Sequence, residues 1–222
     1  MNIFIVYWHP EPRSFNGALF AKACETFAGG GHEIKISNLF AMGFDPVSSR
    51  RNFSTVKDPQ YFKQQIEELH ATEVRGFSTE IEAELQKIEW CDLMVWQFPL
   101  WWFGLPAALK GWVDRVFAMG RTYGNGHFYE TGVFGGKKAL LSLTTGGPEE
   151  AYISDGFNGD IDSILRPVQR GILQFVGFSV LRPHIIYGPA HLDQGQRREH
   201  LDTFAARLQN IFDEQPISVG KY

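Results

Sequence analysis

The stretch FPLWWFGLPAALKGWVDRVF, residues 98–117, changes from strand-like to helix-like between its two prolines, Pro99 and Pro106. Gly104 lies between them and permits an unusual backbone conformation. The aromatic residues 101–103 therefore come where a strand ends. In an open α/β sheet, ligands bind beyond the carboxyl ends of the strands, so these residues are candidate walls of a flat pocket. From this stretch alone, a hydrophobic plug that closes the sheet explains them equally well.

Strand-like and helix-like segments alternate on both sides of this stretch. Strands are predicted at 2–8, 32–39, 92–98, 137–144 and 178–187, and helices at 17–28, 79–90, 106–117, 161–176 and 193–212. This alternation predicts an α/β fold: a flavodoxin-like, doubly wound parallel sheet of five strands in the order 2-1-3-4-5, with helices on both faces. We expect one domain over 1–222, with a long excursion at 40–78, helical near 58–70, and a tail at 214–222. The charged side chains of helix 106–117, Arg115 among them, are expected to face solvent or an interface.

Two further loops end strands that this order places beside the aromatic stretch. Residues 9–16 follow the first strand, and Ser14 or Asn16 can cap the next helix, whose N-terminal N–H groups form an anion site that His9 and Arg13 extend. The glycine turn 145–147 ends the fourth strand. The first loop has neither a Walker lysine nor a G-x-G-x-x-G pattern, and both could be plain turns. Together with the aromatic wall they fit a flat, phosphorylated cofactor, and a flavin fits best.

Composition excludes several other classes of protein. The chain has 222 residues and a formal net charge of -4 with no basic stripe, which argues against nucleic-acid binding. Cys24 and Cys91 belong to no C-x-x-C pair, and we find no H-E-x-x-H motif or clustered carboxylates, so no metal site is expected. No continuous apolar run suits membrane insertion. The N-terminus enters a strand without a basic leader, which predicts a cytoplasmic protein.

Three stretches resemble one family of enzymes. FPLWWFGLPAALKGWVDRVF, KKALLSLTTGG and GILQFVGF are similar to the NAD(P)H:quinone oxidoreductases of the DT-diaphorase type, in the flavodoxin-like quinone reductase superfamily. The resemblance runs from the first strand through HPEPRSFN to about Pro216. It implies a homodimeric flavoprotein that uses NAD(P)H to reduce quinones by two electrons through its flavin. FAD is the expected cofactor because the excursion could house an adenosine half, with FMN possible.

The resemblance also implies which residues form the site. It assigns cofactor contacts to His9, Ser14, Phe15, Asn16, Pro99, Leu100, Trp101, Trp102, Phe103, Thr144, Thr145, Gly146, Gly147 and Tyr152. It assigns catalytic roles to Trp102, Gly146, Gly147 and Tyr152. It assigns the substrate pocket to Trp102, Phe103, Tyr123, Phe128, Asn158 and Phe175. Backbone atoms of Trp102 and Phe103 are expected to contact the flavin ring, with Trp101 the less critical residue. The loop that carries Tyr123 is expected to contribute to the active site of the partner subunit in a dimer. The same is expected of Phe175.

Two positions depart from the family pattern. Asn158 stands where the family has a histidine that pairs with the tyrosine matched by Tyr152, so Tyr152 or solvent must serve in its place. Arg121 stands at one of two loop tyrosines, which leaves Tyr123 as the match and predicts a different acceptor preference.

Two alternatives remain open from the sequence. The protein could be an electron-carrier or regulatory flavoprotein, such as the ancillary subunit that some relatives provide to potassium-efflux systems. Within the enzyme class, azo or nitro compounds could replace quinones as the acceptors.

Overall fold

A parallel sheet with helices on both faces forms the protein, in a computed structural model that describes residues 1–221. The strands are β1 Asn2–Tyr7, β2 Glu33–Asn38, β3 Leu93–Pro99, β4 Lys138–Thr145, β5 Ser179–Val180 and β6 His184–Tyr187. They follow the order β2-β1-β3-β4, and β5 and β6 both pair with β4. The predicted flavodoxin-like order is therefore confirmed. Residue Tyr222, the last of the predicted tail, lies outside the described residues.

The predicted fifth strand, 178–187, is two short strands rather than one. From Ala139 to Ser142, β4 advances three residues, while the facing chain advances four, from Val180 to His184. The extra residue makes a bulge. Pro183 lies in it, and because proline has no N–H to donate, the ladder is interrupted there.

Within residues 1–221, six α-helices cover the sheet. They are α1 Phe15–Gly29, α2 Gln64–Val74, α3 Thr79–Trp90, α4 Ala107–Val116, α5 Ile161–Val168 and α6 Gln194–Gln209, and α5 continues as a π-helical turn, Gln169–Gln174. Helices α1 and α6 pack on one face of the sheet, and α3, α4 and α5 pack on the other. Ser78 caps α3 by accepting from the Ile81 N–H. Helix α2 lies somewhat later than the predicted patch at 58–70.

The excursion is ordered by contacts with α4. A Cβ on Gly111 would lie 2.3 Å from the Pro46 carbonyl oxygen, so only glycine lets the two backbones approach this closely. Arg115 is 4% exposed and packs within its own chain, which overturns the expectation that it faces solvent or an interface. Its guanidinium donates to Asn52 Oδ1 and the Asp45 carbonyl, each at 2.7 Å, and pairs with Glu80 at 2.8 Å. These acceptors satisfy the buried charge and fix the excursion.

Candidate functional site

A cleft of about 650 Å³ opens at the carboxyl ends of β1, β3 and β4. Ten predicted site residues line it: His9, Ser14, Phe15, Asn16, Pro99, Leu100, Trp101, Thr144, Thr145 and Gly146. They meet there because parallel strands end at the same edge of the sheet, with the strand order reversing between β1 and β3. The cleft is also lined by Arg13 and Ala18 and, from the other end of the chain, by Pro189, Ala190, Arg197 and Leu201.

The loop after β1 leads directly into the N-terminus of α1. Ser14 caps this helix, and its Oγ accepts from the Gly17 N–H at 3.1 Å. The N–H groups of Phe15 and Asn16 precede the first intrahelical hydrogen bond and project from the helix N-terminus. A Cβ on Gly17 would lie 2.0 Å from the Pro12 carbonyl oxygen, so the loop folds tightly over the helix. This end of the cleft offers backbone donors to an anion.

Asn16 ties the loop to the ends of two strands. It is 3% exposed, its Nδ2 donates to Thr144 Oγ1 at 2.8 Å, and its Oδ1 accepts from Gln97 Nε2 at 2.8 Å. These two bonds connect α1 to β4 and β3 across the switch point. Asn16 therefore fixes the floor of the cleft, whereas the sequence resemblance assigned it only a contact with the cofactor.

The aromatic stretch forms a tight turn after β3. Trp101 and Gly104 exchange backbone hydrogen bonds of 3.2 and 3.0 Å, and the two central residues, Trp102 and Phe103, have φ of 50° and 57°. Positive φ at both central positions is typical of a type I′ turn, usually formed by Asn and Gly. Trp101 lines the cleft and packs edge-on against Trp8, with ring centroids 5.0 Å apart. The Trp102 side chain is 98% exposed and Phe103 is 53% exposed.

The expected contacts of Trp102 and Phe103 with a flavin ring therefore stay a prediction. Neither side chain is buried in the core. Of the three aromatic residues 101–103, it is Trp101, the one expected to be less critical, that lines the cleft.

The glycine turn after β4 faces the aromatic wall. Thr145 Oγ1 donates to the Gly147 carbonyl at 2.8 Å, and a Cβ on Gly146 would meet no atom within 4 Å. At Gly147, a Cβ would lie 3.4 Å from Tyr152 Cε2 and 3.7 Å from Asn158 Nδ2. Tyr152 and Asn158 thus share one corner beside the turn. Tyr187 lies 5.8 Å from Tyr152 between ring centroids, and burial raises the pKa of Tyr187.

Three predicted pocket residues, Tyr123, Phe128 and Phe175, form a separate group with Tyr129, which we call the aromatic cluster. The Phe175 ring lies 5.7, 5.2 and 5.4 Å from the rings of Tyr123, Phe128 and Tyr129. The chain enters β5 four residues later, opposite the first residue of β4, so the cluster lies toward the amino end of the sheet. One chain does not bring the cluster to the cleft.

Arg121 does not replace the missing family tyrosine in this cluster. Its guanidinium pairs with Glu89 at 2.7 Å and Glu82 at 3.0 Å, both on α3. These two carboxylates raise the pKa of Arg121 and hold the side chain on the helix.

Among residues 1–221, no three His, Cys, Asp or Glu side chains are grouped so as to hold a metal ion. No helix of that described range is long and apolar enough to cross a membrane.

Comparison with known proteins gives the class first. The family described as flavodoxin-like fold matches residues 1–211, and the chain belongs to it. More narrowly, the chain is 44% identical over 214 residues to NAD(P)H dehydrogenase (quinone) 1 of Cavia porcellus, covering 96% of this chain and 78% of that protein. It is 40% identical over 216 residues to ribosyldihydronicotinamide dehydrogenase (quinone) of Pongo abelii, covering 97% and 94%. The chain is therefore an enzyme of the quinone oxidoreductase family.

A solved structure agrees with this assignment. The crystal structure of a candidate quinone reductase from Klebsiella pneumoniae superposes with a TM-score of 0.94 at 38% identity, covering 98% of this chain and 87% of that one.

Proposed function

We propose that the protein binds a flavin in the cleft and uses it to reduce a quinone with NAD(P)H. The observation that carries the proposal is that one cleft joins helix N-terminal donors, an apolar wall and an open glycine turn at the ends of three strands. When bound, a flavin supplies two-electron hydride chemistry between a reduced nicotinamide and an acceptor. In balance, NAD(P)H, a proton and a quinone become NAD(P)⁺ and a hydroquinone.

The residues of the cleft fit such a cofactor in their chemistry. The N–H groups of Phe15 and Asn16 and the positive end of α1 suit phosphate oxygens, and the guanidinium groups of Arg13 and Arg197 add charge of the right sign. The wall formed by 99–101 is apolar and would exclude water from one face of a flat ring. The backbone around Gly146 has free space on the opposite side.

The glycine turn and Tyr152 are proposed to act on charge and protons. Backbone N–H groups of Gly146 and Gly147 would stabilise negative charge on the pyrimidine side of a reduced ring. The Tyr152 hydroxyl, in the corner beside Gly147, is the proposed proton donor on that side. Asn158 has an amide where a histidine would titrate, so it can hydrogen bond but cannot carry the proton.

FAD is the proposed form of the cofactor, with FMN the other possibility. Within residues 1–221, no residue of the excursion lines the cleft, so the excursion of the same chain gives FAD no support. The cleft instead extends past α1 to Arg197 and Leu201 of α6 and to Pro189 and Ala190 after β6. That length beyond the phosphate donors suits an adenosine half. Heat release of the cofactor followed by chromatography distinguishes FAD from FMN.

A homodimer would complete the pocket. Trp102 and Phe103 are exposed beside the cleft, and a groove of about 400 Å³ next to Tyr123 and Phe175 is open between α2, α4 and the π-helical turn. Large exposed aromatic surfaces are typical of protein contacts. We propose that a second copy of the chain places its aromatic cluster over the cleft. Quinones are the proposed acceptors, and azo or nitro compounds remain alternatives to be ranked by kinetics.

Gly146 offers a direct test of the cleft. In Gly146→Val the new side chain meets no protein atom at its Cβ, so the chain should keep its melting temperature, but it fills the space proposed for the ring. We expect the wild-type protein to be purified with flavin and to oxidise NAD(P)H when menadione is added, and Gly146→Val to lose both properties.

Gly220→Val is the matched control, because its Cβ also meets nothing and it lies outside the cleft. A colourless wild-type protein that oxidises no NAD(P)H with menadione would overturn the proposal. Stable association with a membrane transporter without turnover would instead favour the regulatory alternative.

A further inference from the structure

Two consecutive glutamates of α2, Glu67 and Glu68, are both buried, each 2% exposed. Neighbouring residues on a helix point in different directions, and these two carboxylates have different partners. Glu67 accepts from the backbone N–H groups of Lys57 and Asp58 and from Arg50, all within the excursion. Glu68 points the other way and contacts a different part of the chain.

Glu68 holds the loop that follows α4. Its Oε2 accepts from the Met119 N–H at 2.7 Å, and its Oε1 accepts from Gln64 Nε2 at 2.8 Å. The loop is short and internally bonded, since Gly120 N–H donates to the Tyr123 carbonyl at 2.8 Å and Thr122 N–H to the Ala118 carbonyl at 2.9 Å. A fixed Met119 amide therefore fixes where the Tyr123 ring projects.

The contact needs a carboxylate rather than an amide. A rotation of the Gln64 amide by half a turn would break two other hydrogen bonds. Its Nε2 also donates to the Asp114 carbonyl at 2.8 Å, and its Oε1 accepts from Ser48 at 2.8 Å. A glutamine at position 68 would need both its amide atoms to accept, and only one can. Among residues 1–221, Glu68 forms no ion pair. The two donors to its carboxylate, the Met119 N–H and Gln64 Nε2, are both uncharged.

We propose that Glu68 is a positioning residue for the acceptor pocket, acting through Met119 on Tyr123. The inference rests on the proposed function, in which the Tyr123 ring contributes to the pocket of a second copy. Burying a carboxylate without a neighbouring cation lowers the stability of the fold. Here the carboxylate holds this loop in one defined position.

The test is a double-mutant cycle in the flavin-loaded protein. In Glu68→Gln we expect the KM for menadione to rise about fivefold with kcat within about twofold of the wild type, because the loop contributes to binding rather than to the reaction step. In the Tyr123→Ala background the same substitution should change KM no further, because both act through one side chain. Additive effects on KM would overturn the proposal.

Glu67→Gln is the matched control. It removes the charge of an equally buried carboxylate one residue away that does not contact the Met119 loop, so it should lower the melting temperature without raising KM. An equal rise of KM in both variants would also overturn the proposal, since any loss of stability would then suffice.

Hydrogen exchange separates this inference from the proposed function. The Met119 amide should be protected in the wild type and exchange about tenfold faster in Glu68→Gln, whether or not menadione is the acceptor. Unchanged exchange would contradict the inference even if turnover is as proposed, and an inactive wild type with the expected exchange would contradict only the proposed function. If Glu68→Gln does not fold, Glu68→Asp keeps the charge but shortens the reach to Met119, and the same changes are expected.

Discussion

In the cleft, the walls at the ends of β1, β3 and β4 are loops, and these loops are joined to one another within the chain. Asn16 bonds to Thr144 and Gln97, and Trp101 packs on Trp8. The aromatic cluster lies toward the amino end of the sheet, away from the cleft that it was expected to serve, and its rings pack around Phe175. The turn that carries Trp102 lies beside the cleft, but the Trp102 side chain is exposed. We propose that one chain completes the cofactor site, whereas the acceptor site is completed only by a second copy of the chain.

A single added methyl group should be enough to disturb the cleft. Gly17→Ala places a Cβ 2.0 Å from the Pro12 carbonyl oxygen, so either the loop or α1 must move. We expect the free energy of unfolding to fall by roughly 3 kcal/mol and the purified protein to lose its flavin, because overpacking against backbone leaves no flexible atom to yield. Denaturant titration and the visible spectrum measure the two effects.

Gly29→Ala serves as the comparison for that variant. It lies at the other end of the same helix, and its Cβ would meet nothing within 4 Å. If Gly17→Ala keeps its flavin and is no less stable than Gly29→Ala, the loop after β1 is not held tightly over α1.

Acid should loosen the cleft through His184. His184 on β6 stacks on Phe204 of α6 with centroids 4.2 Å apart, and burial, with smaller contributions from Arg207 and His200, lowers its pKa to about 4. The unfolded chain binds this proton near pH 6.5, so the stability that neutral His184 provides is present above pH 6.5 and is lost as pH falls toward 4. At pH 5 the loss is roughly 2 kcal/mol, and α6 carries Arg197 and Leu201 to the cleft.

The variant His184→Phe isolates this effect, since it keeps the stack and removes the titrating group. We expect the wild-type protein to release flavin between pH 6.5 and 5 and the variant to retain it to lower pH. Flavin fluorescence measures the release. Equal release by both proteins would assign the acid sensitivity to other groups.

The same contrast explains what the sequence could predict. Residues of the cleft could be placed because each follows a strand directly, and strand ends are readable from local apolar runs, as at Thr145 and Pro99. Arg197 and Leu201 were missed because they come from α6, although their spacing of four puts them on one helix face and Pro189 follows a strand at the same edge. Arg115 was wrongly placed because two of its acceptors, Asp45 and Asn52, come from a segment with no periodic pattern.

The smallest change in stability is expected for a substitution of Trp102. The sign of that change should differ between the isolated chain and the assembled, flavin-loaded protein. Trp102 has φ of 50° and is 98% exposed, so in an isolated chain it adds backbone strain and little packing. Asparagine adopts this conformation readily, so Trp102→Asn should raise the stability of dilute, flavin-free protein by about 1 kcal/mol. In the flavin-loaded protein at high concentration, where we propose that a ligand and a second copy cover the turn, the same substitution should lower the melting temperature and the activity. A change of the same sign in both states would mean that the ring is never covered, and the strain at Trp102 would then have no role in building the acceptor site.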